Sequence, residues 1–141
     1  DNLKYLHLYQ KWQLKKISLL EMTYRSWCVA FTLKLRLLNS RPIFNQVITD
    51  WEGHFELLTN FWETQLFLKR KYHGNPVTAH QEIDDKTNNT ITSKHFGLWL
   101  NLWFETIDEL FEGETAWIAK NRAQKMSTML FMKIFEHRKN D

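Results

Sequence analysis

The chain has 141 residues, a length typical of one domain that buries roughly two-thirds of its unfolded surface. Hydrophobic residues make up 43% and charged residues 25%, and the net charge is only +3, with acidic and basic residues interspersed. A nucleic-acid-binding domain needs a basic face. Because the charge pattern shows none, we expect no nucleic-acid partner.

The single cysteine, Cys28, excludes an internal disulfide, and its apolar neighbours predict a buried thiol in a reducing, cytoplasmic compartment. No apolar run approaches the ~20 residues of a membrane span, and no signal peptide is visible. Aromatic residues reach 15%, with ten Phe and seven Trp. Such side chains suit either a dense helical core or a pocket for a flat ligand, and composition leaves both open.

Low Gly and Pro counts, four and two, predict an all-α protein. Residues 3–38 have apolar residues at helical spacing with one break near 13–19, so residues 1–12 are expected to form an extra N-terminal helix. The segment 39–42 is a stop signal, and 43–47 fits one short turn of helix.

Thr49 and Glu52 are spaced for a capping box at the start of a helix that runs to about Leu68. The polar stretch 84–92 is predicted to be an exposed loop. Ser93 is then expected to cap a helix over 94–112, Gly113 to end it, and a last helix to span about 115–137. No internal repeat is present, so residues 1–141 are expected to form a single domain.

Between these helices, a constrained turn leads to His80 at the start of a very short predicted helix. Gly74 tolerates positive φ, and Pro76 fixes its own φ while it pushes Asn75 towards extended geometry. Taken alone, His80 and His54 both fit ordinary, hydrogen-bonded core histidines. The run 69–71 fits a solvated surface, with contact to an anion as the alternative.

Familiar catalytic and metal-binding motifs are missing from the sequence. No H-E-x-x-H pair, thiolate-rich zinc site, G-x-S-x-G elbow or phosphate-binding glycine loop occurs. These absences leave little support for a hydrolase or a nucleotide-binding protein.

A succession of short motifs carries more information than any one of them. In chain order they are Pro42-Ile43-Phe44, Trp51-x-x-His54, Phe61-Trp62, Tyr72-x-Gly74-x-Pro76-x-x-x-His80, His95-Phe96-x-x-Trp99-Leu100, Thr106-x-x-Glu109-x-Phe111-x-Gly113 and Arg122-Ala123-x-x-Met126. Over residues 20–137 this succession resembles the group III truncated hemoglobins. The 26 positions from His54 to His80 also match the family's spacing between distal and proximal residues.

The resemblance implies a truncated-globin-like helical sandwich around a haem b, with a short proximal helix. It implies His80 as the iron ligand and a distal pocket made by Phe31, His54, Leu58 and Trp99. The residues expected to contact the cofactor are Phe44, His54, Leu58, Trp62, Lys71, Tyr72, His80, Phe96 and Trp99, with Lys71 or Arg70 meeting a haem propionate.

Two departures from the family pattern stand out. Phe31 falls where the family usually has a tyrosine that donates to a bound ligand, which removes a hydrogen bond worth roughly 1–2 kcal/mol. Tyr24 is too far along the helix to replace it. The segment between His80 and Trp99 is several residues longer than is usual. Without the tyrosine, His54 itself is free to bind iron in the resting state.

The resemblance thus implies a haem protein that binds O2, CO or NO at its iron, and two alternatives stay open. One is a haem oxidoreductase, such as a nitric-oxide dioxygenase or a peroxidase-like catalyst; the other is a haem-free sensor or interaction domain of globin shape. The apolar Phe31 and Leu58 favour gas binding over acid–base catalysis. No catalytic residue is assigned, a monomer is expected, and a reductase partner stays open.

Overall fold

The computed structural model describes residues 17–18, 31, 34 and 42–140. The predictions for residues 1–12, Tyr24 and Cys28 lie outside these residues. The elements, in chain order, are β1 (Ile17–Ser18), α1 (Pro42–Val47), α2 (Trp51–Phe67), α3 (Pro76–Lys86), α4 (Ser93–Leu110), β2 (Phe111–Glu112) and α5 (Glu114–Asn140). Phe31 and Lys34 are also helical. The predicted all-α fold is confirmed, with one two-residue parallel pairing of β1 and β2 added to it.

The start of α2 differs from the predicted capping box. Asp50, not Thr49, is the N-cap: its Oδ1 accepts a hydrogen bond from the Gly53 amide at 2.9 Å. Both residue types cap helices well, but the carboxylate also interacts favourably with the positive end of the helix dipole. At the other end, Leu68 takes the left-handed conformation with φ 56° and closes the helix.

The helix that carries His80 is longer than predicted. Asn75 caps α3 by accepting hydrogen bonds from the amides of Val77 and Thr78, and Pro76 is its first residue. Pro suits this position because the first amide of a helix has no partner within it. The helix then runs for 11 residues to Lys86.

The predicted exposed loop over 84–92 is therefore wrong at both ends. Asp84 is 0% exposed within α3, and Ile91 is buried as well, so only the middle of the segment is loop on the surface. Asn88 and Asn89 make the turn there with φ 56° and 58°, a conformation that Asn tolerates. The error has a physical cause: composition marks Asp84 as polar but does not reveal that Arg138 pairs with it in the interior.

Helices α4 and α5 follow the predicted pattern with shifted ends. Thr92 rather than Ser93 precedes α4 as its N-cap, and its amide donates to Nδ1 of His95 at 2.9 Å. The helix ends at Leu110 and is followed by β2, after which Gly113 turns the chain into α5 with φ 97°. No helix of the described residues is both long and apolar enough to cross a membrane.

The core lies where α2, α4 and α5 meet. Trp62 stacks on Trp103 with ring centroids 4.7 Å apart, and Trp103 stacks on Trp99 at 5.3 Å. The side of α5 that faces them carries buried alanines, Ala116, Ala119 and Ala123, which let the large aromatic rings approach the helix. Aromatic pairs of this kind add about 0.5–1.5 kcal/mol beyond their buried area, so this core fixes one wall of the site described next.

Candidate functional site

A mostly apolar cavity of about 260 Å³ opens between α1, α2, α3, α4 and α5. We call it the two-histidine cavity after His54 from α2 and His80 from α3, which line it together with His95 from α4. Its volume lies just below the roughly 300–1,000 Å³ of typical ligand pockets. The other lining residues are Ile43, Phe44, Val47, Ile48, Leu57, Leu58, Phe61, Trp62, Tyr72, Pro76, Ala79, Ile83, Ile91, His95, Phe96, Trp99, Ala123, Met126, Ser127 and Leu130.

His80 is held in one orientation by its own helix. Its Nδ1 lies 2.6 Å from the carbonyl oxygen of Pro76, one turn earlier. A carbonyl only accepts hydrogen bonds, so Nδ1 carries the proton and Nε2 keeps a free lone pair. Phe96 stacks against the ring, with centroids 6.1 Å apart and an interplanar angle of 28°. Burial lowers the pKa of His80 and so favours the neutral imidazole, and it outweighs the hydrogen bond to Pro76, which acts in the opposite direction.

His54 reaches the same cavity from the first turn of α2. Its pKa falls to about 4, mainly because burial disfavours the charged ring and secondarily because His80 is near. The Trp51 and His54 rings meet edge to face with centroids 6.2 Å apart, and the His54 side chain makes no hydrogen bond within the described part of the chain. Of the three histidines that line the cavity, His80 thus has its Nδ1 bound and His54 has both ring nitrogens free, and both of these rings are neutral.

The other residues predicted for the distal pocket form two layers. Leu58 and Trp99 line the cavity. Phe31 is 0% exposed and lies behind them: its ring makes edge contacts with Trp99 at 5.2 Å and with Trp103 at 4.7 Å, and it is not part of the lining. Phe31 therefore supports the Trp99 wall and presents no polar group to the cavity.

Most residues predicted to contact a cofactor also line the cavity, namely Phe44, Trp62, Tyr72 and Phe96. Lys71 does not: its Nζ pairs with Oε2 of Glu63 at 2.5 Å, and Arg70 is exposed. The ion pair with Glu63 uses the ammonium group that a propionate contact would need. That predicted contact remains untested.

The turn before α3 places Tyr72 through Thr64. The Thr64 hydroxyl lies 2.7 Å from the carbonyl of Lys69 and accepts a hydrogen bond from the Tyr72 amide at 3.0 Å. Gly74 leaves room for the Tyr72 ring, because a Cβ at that position would lie 2.6 Å from the Tyr72 hydroxyl oxygen and would displace the side chain. The turn therefore places Tyr72 in the lining of the cavity and leads directly into α3.

Sequence reasoning missed much of the wall that α5 contributes. Ala123, Met126, Ser127 and Leu130 line the cavity from this helix. Their spacing by threes and fours follows one helical face, which was visible in the sequence, but the face had no distinct chemistry that separates a cavity wall from plain core.

The residues of this cavity fit a haem. The group needs a neutral imidazole nitrogen whose partner nitrogen is engaged by an acceptor, as in His80, and flat apolar walls such as Phe44, Trp62 and Phe96. A bare metal ion fits less well, because the described residues contain no group of three His, Cys, Asp or Glu side chains that could hold one. The site is thus better suited to a metal held in a macrocycle, as iron is held in haem, than to a bare ion.

Comparisons with known proteins agree with this geometry at the level of the fold. No protein-family model matches the chain, and no curated protein matches it. Among solved structures, the chain is similar to the crystal structure of a group III truncated hemoglobin from Campylobacter jejuni, with a TM-score of 0.71 and 23% identity. The match covers 85% of this chain and 95% of that chain. The truncated-globin fold expected from the motifs is thereby confirmed.

Proposed function

We propose that the protein binds haem b through His80 and binds O2, CO or NO on the opposite face of the haem. The observation that carries this proposal is the hydrogen bond from His80 Nδ1 to Pro76, which leaves Nε2 available inside an apolar cavity. The truncated-globin fold supports it, since the neighbouring structure is that of a hemoglobin.

When bound, the haem supplies an iron centre for diatomic ligands. The chain supplies the rest. The Pro76 carbonyl fixes the tautomer of His80 and makes the imidazole a better electron donor. The apolar lining, with Leu58 and Phe96 among it, excludes water from the cavity. The Trp99 side chain makes ring contacts but no hydrogen bond within the described residues, so its indole N–H is available as a donor.

We include three further points in the proposal. Phe31 stands where the resemblance places a tyrosine that donates to a bound ligand, so polar stabilisation of a bound gas rests on Trp99 and His54. The protein acts as a monomer in the cytoplasm. The apolar character of the cavity favours gas binding over peroxide cleavage, which benefits from a polar donor–acceptor pair.

Haemin titration tests the proposal directly. We expect the purified chain to take up haemin with one equivalence point, to show a Soret band, and to shift that band after dithionite and again after CO. The measurement is the visible spectrum at each step. A chain that folds but gives no Soret band would be a haem-free domain of globin shape. Catalytic turnover of peroxide or NO would identify an oxidoreductase.

His54 determines the resting spectrum under the same proposal. Because both of its nitrogens are free and its ring is neutral, we expect it to occupy the sixth position of the iron and give a low-spin ferric spectrum. In His54→Ala the ferric spectrum should become high-spin, while haem affinity changes little. A wild-type spectrum that is already high-spin and unchanged in His54→Ala would contradict this expectation.

A further inference from the structure

A buried ion pair joins the helix of His80 to the end of the chain. Asp84 is 0% exposed and follows His80 by about one helical turn on α3. Arg138, in the last turns of α5, donates to both of its oxygens, from Nε to Oδ2 at 2.7 Å and from Nη2 to Oδ1 at 2.6 Å. This bidentate geometry fixes both the distance and the angle between the guanidinium group and the carboxylate.

The same pair also holds the segment between α3 and α4. Asp84 Oδ1 accepts a hydrogen bond from the Ile91 amide at 3.1 Å, and the Ile91 carbonyl accepts one from Arg138 Nη2 at 2.6 Å. The Ile91 side chain lines the two-histidine cavity. One ion pair therefore connects three pieces of chain, and each of them contributes residues to the cavity.

Two weaker contacts run parallel to the pair along the α3–α5 seam. Gln81, the neighbour of His80, donates from Nε2 to the Lys133 carbonyl at 3.1 Å. His137 Nε2 lies 3.1 Å from Oδ2 of Asp85 on the exposed side. Neither contact is buried, so each constrains the packing of α3 on α5 less than the Asp84–Arg138 pair does.

Stability alone is a weak explanation for such a pair. A buried salt bridge often contributes no more than apolar residues of the same volume would, whereas its geometry can specify one arrangement of the helices. Here the arrangement that it specifies is the register of α3 on α5. Since the His80 ring is fixed to α3 through Pro76, that register sets where Nε2 enters the cavity.

We propose that Asp84 and Arg138 are positioning residues for His80, which hold α3 on α5 so that the imidazole meets the iron of a bound haem at a fixed angle. The proposal rests on the proposed haem function. Loss of Arg138 would leave α3 free to shift by fractions of an ångström, enough to weaken the bond between His80 and iron without removing either residue.

The test uses the haemin-reconstituted full chain and resonance Raman spectroscopy of its ferrous form. We expect Arg138→Met to shift and broaden the iron–histidine stretching line and to lower haem affinity by about 10- to 100-fold, the range found for residues that orient metal-bound histidines. Lys139→Met is the matched control. That lysine follows Arg138 but lies over the exposed Phe135 ring. The iron–histidine line and the haem affinity of Lys139→Met should therefore equal those of the wild type.

Arg138→Lys covers the case in which Arg138→Met does not fold. Lysine keeps the positive charge but cannot make the bidentate contact with Asp84. We therefore expect a shift of the iron–histidine line between those of the wild type and Arg138→Met. A folded Arg138→Met or Arg138→Lys variant with the wild-type line and wild-type affinity would overturn the proposal.

A haem-free measurement separates this proposal from the proposed function. In the apoprotein of either variant, we expect faster hydrogen exchange at the Ile91 amide and a changed NMR signal for the His80 Nδ1 proton. If the wild type shows no Soret band, the haem function fails on its own account. If the His80 signal stays at its wild-type position while Ile91 exchange rises, the pair stabilises the loop only and the positioning role is wrong.

Discussion

His80→Gly is expected to lower haem affinity by at least about 100-fold and to make the remaining binding depend on added imidazole. Loss of an orienting neighbour alone costs about 10- to 100-fold in metal affinity, and here the ligand itself is removed. The glycine leaves a space that free imidazole fits, between Pro76 and the stacked Phe96 ring. Haemin titrations with and without imidazole, followed at the Soret band, measure both effects.

His73→Ala is the control for this experiment. His73 is exposed in the turn before α3 and does not line the cavity, so its removal should leave haem affinity unchanged. A His80→Gly variant that binds haemin as the wild type does, with no response to imidazole, would move the iron ligand to another residue. His54 would then be the first to examine, since it is the other free imidazole in the cavity.

The elements of this fold follow from short-range chemistry that a single sequence displays. Asn75 and Pro76 indicate the start of α3, and Gly113 indicates the turn into α5. Helix ends depend on which of two neighbouring side chains reaches the free amides, as Asp50 does in place of Thr49. That choice is decided by geometry within one turn, so sequence alone places such ends within a residue or two.

The same distinction holds for the site: features set by residues nearby in the chain could be predicted, and features set by tertiary packing could not. The cavity histidines were predictable because a motif succession surrounds them, and each ring is oriented by residues nearby in the chain. The Asp84–Arg138 pair was not predictable, because its members are 54 positions apart and only tertiary packing brings a buried acid to an arginine. Likewise, the sequence marks Phe31 as a departure from a family pattern, but only packing shows that it backs Trp99.

Acid is expected to destabilise the haem-free protein well above the pH at which carboxylates protonate. The pKa of His54 is about 4 in the folded state against 6.5 for an exposed histidine, because burial disfavours the imidazolium. Between these pH values the unfolded chain binds the proton and the folded chain does not. The free energy of unfolding therefore falls as the pH drops from about 6.5 to about 4, by about 3 kcal/mol from His54.

His80 acts in the same direction, since burial lowers its pKa too. Asp84 acts in a lower pH window. Burial alone would raise its pKa, but hydrogen bonds from Arg138 and Ile91 outweigh this and hold the pKa below its usual value. Its stabilising effect is therefore complete above pH ~4 and is lost only as the pH falls through the folded-state pKa. The loss between pH 6.5 and 4 thus reports the cavity histidines.

Urea unfolding of the apoprotein at intervals from pH 7 to pH 4 measures this loss, and His54→Leu isolates the contribution of one ring. The variant fills the same apolar space with a group that cannot be protonated, so its free energy of unfolding should decline by about 3 kcal/mol less than that of the wild type. His73→Leu, which removes an exposed histidine, should keep the wild-type decline. Equal pH dependence in His54→Leu and the wild type would mean that His54 is solvated and charged at pH 5. Such a ring would not be the neutral imidazole on which the expected binding of His54 to iron depends.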